Sequence, residues 1–478
     1  RKNIAKLESD GTYEKNKLNK LFIEEDSLDK RLSQVWMEYA KQKENMGITW
    51  KQVQSNLDTG EAAIEFVRFK NEIDSSLVYY NALVVKKGYD YPKLVKLCKE
   101  KEIESIRPES GFSDYYPLIW QPLDSILEDV KTIYYAPTGK LYDVPFHALC
   151  SAPDNNDKAI TSNSKKRGVD LKNTESRSYD NAEFLIDRYN LHQLTSTRYL
   201  AMGLKQKSED TISKSIAMVG GVNYEYLPNV NTPTNKSKRR KRESASRSSQ
   251  FKNSRLDYLK GTQEEVEFIR DSLARNTWKM ELFENNSATE DQLHRLEGKY
   301  GKSILHFATH GYAFPEYNYN KDTTDKNSYR YAYRYSVNPM VRSGIILAGG
   351  NWAWTGSDTL TRLGAEENGI LSALEVSHLN LQKTKLVVLS ACETGRGQID
   401  ISEGTFGLKR GFKLAGVEQM IVSLWSVPDK ETMELMTIFY SELTKTLNPV
   451  NSFEKAQKEM RLKYPTDPAK WAGFVLVR

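Results

Sequence analysis

Cysteine is scarce in this 478-residue chain: the three are Cys98, Cys150 and Cys392. One of them stands where a nucleophile would. In KLVVLSACETG (385–395) an apolar run of strand type gives way to a small residue, Cys392, and a glycine turn. In SILHFATHG (303–311) a second apolar run delivers His310 followed by Gly311. An imidazole beside a thiol holds it as thiolate or removes its proton, then returns that proton to a leaving amine. Gly311 and the turn after Cys392 leave backbone N–H groups that can face a developing oxyanion. The pattern therefore points to acyl transfer through a thiol, provided the two runs are neighbouring parallel strands separated by 392 − 310 = 82 positions.

The elements that must position these residues are legible as an alternation. SIAMVGG (215–221), KSILHFATHG (302–311), KLVVLSAC (385–392) and VEQMIVSLW (417–425) read as strands. TQEEVEFIRDSL (262–273), SATEDQLHRL (287–296), GTFGLKRGFKLAG (404–416) and ETMELMTIFYSEL (431–443) read as helices. Thr262 with Glu265, and Ser287 with Glu290, have the spacing of capping boxes, and Gly416 has the place of a helix terminator. Near-continuous apolar strands separated by helices predict an α/β fold with a mostly parallel sheet flanked by helices. In such a sheet the chemistry sits at the carboxyl ends of the strands. Upstream, EAAIEFVRF, SSLVYYNALVVKKG and KTIYYA read as further strands, and APTGKLYDVPFHAL as a turn region. Residues 1–47 are highly charged with scattered apolar positions, which predicts a helical segment without a core of its own. Residues 151–180 and 231–255 are polar insertions. Cys98, in LVKLCKE, is expected on a helix, and Cys150, close to His147 in PFHALC, is expected to be structural.

Composition narrows the class. Lys plus Arg number 69 against 63 Asp plus Glu, a net charge of +6 that is partly local and no basic face across the whole fold. No run approaches the ~18 apolar residues of a membrane span. The start, RKNIAKLESD, is polar and lacks an initiator Met, as expected of an internal boundary in a longer protein. Three separated cysteines form no disulfide framework, and no C-x-x-C or Cys/His cluster suggests zinc. A reducing cytoplasm is expected, with no metal or organic cofactor and no membrane contact.

Taken together, LHFATHGY, VRSGIILAGGN, GILSALEVSHLNLQKTKLVVLSACETGRG, EGTFGLKRGFKLAGVEQMIVSLWSVPD and WAGFVLV resemble the CHAT domain, a caspase-like cysteine peptidase module related to caspases and separases and usually placed after tetratricopeptide repeats. VQSNLDTGEAAIEF, IWQPLDSIL, VKTIYYAPTGKLYDVPFHAL and EFLIDRYNLHQLTSTRYL resemble its amino-terminal half, so the likeness runs over about 50–478. It implies a caspase-like fold with a pseudo-catalytic half at 48–212, a catalytic half at 213–478, and 1–47 as a helical linker or the end of a repeat region. It further implies a Cys392–His310 dyad with oxyanion donors at the Gly311 and Cys392 N–H groups; His306 also sits in the motif, and by strand alternation it shares a face with His310, either as a supporting residue or as a buried hydrogen-bonded histidine. The implied activity is endopeptidase cleavage of a partner protein, gated by a repeat region or regulatory partner, with bacterial stress or defence as a setting. By likeness to separases, Asp429 in SLWSVPD would meet a basic P1 side chain; the alternative is a helix N-cap. Glu393 and Glu403 are the next substrate-binding candidates.

The basic loop KSKRRKRESASRSS admits three readings: a solvated insertion, a polyanion contact without the aromatics that base stacking needs, or a self-cleavage site at Arg239, Arg240 or Arg242. Nucleic acid would then act only indirectly. The Tyr-rich tract after His310 is either a lid over the site or packed structure. A non-catalytic binding module is the alternative to the enzyme.

Overall fold

A computed structural model describes residues 47–478 except 72–73, 75–76, 105, 108–111, 152–178, 180–181, 205–210, 228–254, 315–332, 356–366, 391–397, 401–403 and 426. Its centre is an 11-stranded sheet, built from two blocks that share one plane of hydrogen bonding. The first block comes from the amino-terminal half. It contains β1 (Glu61–Lys70), β2 (Val78–Lys86), β3 (Lys93–Lys99), β4 (Thr132–Ala136) and β5 (Asn190–Gln193) in the order β3-β2-β1-β4-β5. The second contains β6 (Ser215–Val222), β7 (Lys279–Asn285), β8 (Ile304–Phe307), β12 (Leu386–Leu389), β15 (Gln419–Ser423) and β16 (Phe474–Val477) in the order β16-β15-β12-β8-β6-β7.

The blocks join where β16, at the chain's end, runs parallel to β5 with Val477 opposite Gln193. Arg478 N donates to Gln193 O at 3.0 Å and Thr195 N to Arg478 O at 3.0 Å, so the sheet continues across the seam. Three pairings, β1/β2, β2/β3 and β15/β16, are antiparallel and the rest parallel, the mostly parallel sheet that the alternation predicts. A second, three-stranded antiparallel sheet of β9 (Gly311–Ala313), β10 (Ser343–Ile346) and β11 (Ile370–Ser372) lies beside the second block, and β13 (Gln398–Asp400) pairs with β14 (Gly404–Phe406) as a hairpin.

The central strands carry long apolar runs because both faces are covered. Every residue of β8, β12 and β15 is buried. The cover in the second block includes α1 (Lys260–Ala274), α2 (Leu408–Leu414), α3 (Asp429–Thr446) and α4 (Pro449–Lys463). α1 turns Val266, Ile269 and Leu273 inward, and α3 turns Leu435, Met436, Phe439 and Leu443 inward, the i, i+3, i+4 spacing of amphipathic helices. Gly416 ends α2 with φ +101, a left-handed turn that a Cβ would strain. A separate core, around Trp120, Phe146, Ile64 and Ile133, supports the first block.

Several local expectations are corrected. Thr262 and Glu265 form no capping box: the N-cap of α1 is Leu259, Thr262 Oγ1 donates to Leu259 O and accepts from Gly221 N, and Glu265 is directed inward. The cap of helix Glu290–His294 is Thr289 and not Ser287, and Glu290 instead accepts the N–H groups of Asn368 and Gly369. Residues 404–406, expected to open a helix, are strand β14. Cys98 lies on β3, not on a helix. It and Cys150 are free and buried, and burial pushes both thiols up to about 12, so neither is a nucleophile at neutral pH. Among the described residues no helix is long and apolar enough to cross a membrane.

One buried cation ties the halves together at a cost. Lys409, in the first turn of α2, is 6% exposed and lies 4.9 Å over the ring of Tyr142 from the amino-terminal half. Its Nζ has no hydrogen-bond partner among the described residues. Burial pulls its pKa down to about 8, against the weaker opposing pull of Asp143. A lysine whose folded value lies below its unfolded value costs stability fully below about pH 8, and the cost fades as pH rises from there to the unfolded value of 10.5. Lys409→Met should therefore raise the unfolding free energy by about 2–3 kcal/mol at pH 7 and by almost nothing at pH 10.5. Denaturant titrations at the two pH values measure it; equal stability of variant and wild type at pH 7 would contradict this reading.

Candidate active site

β8 and β12 are parallel neighbours, as the two apolar runs required. Leu386 stands opposite Ile304 and Leu389 opposite Phe307. The ladder then stops. Ala308 N donates to Val219 O at 2.8 Å and Ser390 N to Phe307 O at 2.9 Å. His310 is thus not the last strand residue but lies in the short connection from β8 to β9, at the carboxyl rim of the sheet.

His310 is 2% exposed and held from several sides. Its Nε2 lies 2.8 Å from the backbone carbonyl of Asp257, which can only accept, so Nε2 carries the proton and Nδ1 is the basic atom of the neutral ring. The Asp257 carbonyl is itself fixed. Asn351, fully buried, grips the adjacent Leu256 at both backbone groups, with Oδ1 accepting from Leu256 N at 2.8 Å and Nδ2 donating to Leu256 O at 2.9 Å. Below the ring, Tyr224 packs at 4.9 Å between centroids. Its hydroxyl accepts from His310 N at 3.3 Å and donates to Thr309 Oγ1, which donates to Ile346 O at 2.6 Å.

Gly311 opens β9 opposite Ile345. The flanking ladder bonds, Ile346 N to His310 O and Phe314 N to Arg342 O, alternate with it. That alternation turns the Gly311 N–H away from β10 and leaves it to face another acceptor.

His306 is fully buried and belongs to a polar cluster beneath this rim. Its Nδ1 lies 2.8 Å from Tyr440 Oη and its Nε2 3.1 Å from Glu265 Oε1. The second carboxylate oxygen of Glu265 accepts from Ser390 Oγ at 3.0 Å. Burial, and then the Glu265 charge, holds Tyr440 well above its ordinary value, so it stays a hydroxyl.

Asp429 is the first residue of α3, with Pro428 in the N-cap place, so the capping alternative is displaced by one position. Its carboxylate rests on Gly261 in the first turn of α1, where a Cβ would collide with it. The segment just before that turn holds His310 through Asp257. Two described members of the Tyr-rich tract are packed in the core: Tyr312 is buried against Phe314, Tyr333 and Trp354, with its hydroxyl on Val341 O. Cys392, Glu393, Glu403, Arg239, Arg240 and Arg242 lie outside the described residues.

Sequence reasoning missed Glu265, Ser390, Tyr224, Asn351 and Asp257. Glu265 was read as a cap because the T-x-x-E spacing is common to both roles. Asp257 acts through its backbone, for which no residue type is a signal. Among the described residues no group of three or more His, Cys, Asp or Glu could hold a metal ion.

A family model described as CHAT domain matches residues 114–478. The chain is similar to tetratricopeptide repeat protein 28 of Mus musculus, with 34% identity over 109 residues that make up 23% of this chain and 4% of that protein. The Homo sapiens protein of the same name is 33% identical over 109 residues, with the same shares. The chain thus spans only a small fraction of the length of these curated relatives. Among solved structures, it is similar to the Arg-specific cysteine proteinase gingipain R, at a TM-score of 0.39 and 9% identity over 76% of this chain and 67% of that one. It is also similar to the Saccharomyces cerevisiae separase–securin complex, at 0.35 and 10% over 76% and 17%.

Proposed function

The chain belongs to the CHAT domain family, and we propose that it is a caspase-like cysteine endopeptidase in which Cys392 is the nucleophile and His310 its base. One observation carries this reading. The register of β8 against β12 has an offset of 389 − 307 = 82, and 392 − 310 is also 82. Two paths that leave neighbouring parallel strands in that register start from the same level of the sheet, with the same number of residues to reach the rim.

The chemistry follows from the tautomer. His310 Nδ1 takes the thiol proton while Nε2–H remains on the Asp257 carbonyl, which also stabilises the imidazolium that forms. The thiolate adds to the peptide carbonyl carbon, and the oxyanion is received by the Gly311 and Cys392 N–H groups. Collapse breaks the C–N bond as imidazolium returns its proton to the amine. Water, deprotonated by His310, then hydrolyses the thioester and frees the thiol.

The substrate is a protein, with a basic P1 side chain received by Asp429. The half-buried position of that carboxylate at the start of α3, against the first turn of α1, supports a charge-assisted contact near the rim. Activity is gated by a repeat region or a regulatory partner, in keeping with repeats named in the curated relatives. A peptide library digested with wild type, Cys392→Ala and Asp429→Ala tests the reading. Cleavage after Arg or Lys that disappears in Cys392→Ala, and a basic preference reduced about tenfold or more in Asp429→Ala, are expected. Apolar P1 selection by the wild type would refute the pocket, and cleavage surviving Cys392→Ala would refute the nucleophile.

A further inference from the structure

Both strands that lead to the dyad end on the same buried carboxylate. Glu265 is 1% exposed on the inner face of α1. One of its oxygens takes His306, four residues before His310, and the other takes Ser390, two residues before Cys392. We propose that Glu265 is a positioning residue, which clamps the ends of β8 and β12 together and so sets the spacing of the nucleophile and its base; the inference rests on the dyad reading above.

The geometry gives the clamp its direction. The Glu265 carboxylate accepts at one oxygen from Ser390 Oγ and faces His306 Nε2 with the other, while His306 Nδ1 lies against the Tyr440 hydroxyl. The chain Tyr440–His306–Glu265–Ser390 thus runs from α3 to the end of the β12 path, where the Ser390 hydroxyl donates to Glu265. Ser390 also makes a main-chain bond to β8, through its N–H to Phe307 O. The Ser390 hydroxyl adds a side-chain tie from this strand path to α1, two residues before Cys392. On the other strand, α1 acts twice. Glu265 holds His306 from the helix, and Asp257, just before the helix, holds the His310 ring. α1 and the segment that leads into it therefore reference both halves of the dyad, as a pre-organised site needs, since small misplacements of reacting groups cost large factors in rate.

Ordinary core packing does not call for this arrangement. A buried carboxylate is costly unless every partner is in place, and apolar residues at 265, 306 and 390 together would fill the space between α1 and the sheet without that cost.

The test measures the alkylation rate of Cys392 by iodoacetamide across pH, located by peptide mapping, in wild type, His310→Ala, Glu265→Gln, Ser390→Ala, Ser390→Thr and Tyr440→Phe, all well below their melting temperatures. Ser390→Ala and Glu265→Gln should slow alkylation about tenfold and move its pH midpoint upward. Ser390→Thr, which keeps the hydroxyl, should restore the rate. Tyr440→Phe removes a hydrogen bond of the same cluster away from the strand ends and should change the rate by less than about twofold. If Ser390→Ala keeps the wild-type rate and midpoint while His310→Ala loses them, the clamp is wrong and the dyad stands. If Tyr440→Phe slows alkylation as much as Ser390→Ala, the cluster serves stability alone and the proposal falls. A Cys392 indifferent to His310→Ala overturns the dyad, and the clamp with it. Should Glu265→Gln fail to fold, Ser390→Ala and its threonine rescue decide the matter.

Discussion

Replacing His310 by alanine should lower peptide hydrolysis about 10³-fold while leaving the protein folded. The imidazole is asked for two steps, deprotonating Cys392 and protonating the leaving amine, and general acid–base groups contribute on this scale. The fold tolerates the loss because the ring lies in a connection at the rim, and its backbone keeps the His310 O bond to Ile346 N and the Tyr224 contact. Single-turnover hydrolysis of the best library peptide, with circular dichroism of the same samples, measures both parts. An activity loss below tenfold in a folded variant would show that the base lies elsewhere. Asn351→Ala should give a milder loss of the same kind, because it frees the Leu256–Asp257 backbone that orients the ring without removing the ring itself.

The second large effect is on stability. Lowering the pH from 7 to 4 should cost the fold about 6 kcal/mol, a large part of a typical domain's reserve. Two histidines at the seam of the halves carry it. His147 is buried and neutral: its Nε2 accepts from Gln457 Nε2 at 3.1 Å, it donates to the Ala472 carbonyl, and burial pulls it down to about 4 against that hydrogen bond. His192, stacked on Tyr134, is pulled down to about 4 by burial and by Arg478 and Lys458, with Glu61 opposing. At pH 7 it is uncharged, so its 3.3 Å contact with Glu454 is no ion pair. Both folded values lie below the unfolded value of 6.5. The unfolded chain therefore takes up protons that the folded chain refuses, and stability falls from pH 6.5 down to about 4, by about 3 kcal/mol per histidine. Glu454, raised by burial, gains a proton more readily when folded and returns part of the loss. Urea titrations between pH 7 and 4 should show this slope, roughly halved in His147→Gln; a slope unchanged by that substitution would remove His147 from the account.

The parts of the fold that a local pattern encodes were legible in the sequence. Apolar runs such as LVVL and MIV announce buried parallel strands because both faces need cover. The T-x-x-E spacing misled because a carboxylate three residues after a threonine caps a helix or points into a core with equal ease. For Glu265 burial decided, and the residues that receive it, His306 and Ser390, are 41 and 125 positions away. Cys98 was misplaced for a related reason, since LVKLCKE alternates too weakly to distinguish an edge strand from a helix, and only the pairing of β3 with β2 settles it. The joining of the two blocks through β5 and β16 rests on the pairing of residues 193 and 477, which no local pattern records. At the site, the place of His310 at the carboxyl rim was legible, whereas the carbonyl that holds its ring was not, because backbone groups carry no residue signature.

The central claim is that His310 activates Cys392, and the pH dependence of Cys392 alkylation in wild type and His310→Ala tests it most directly. The dyad predicts a wild-type midpoint well below the ~8.5 of a free thiol, returning toward that value in His310→Ala with a slower rate at neutral pH. A Cys392 that titrates as an ordinary thiol in both proteins, at equal rates, would contradict the account.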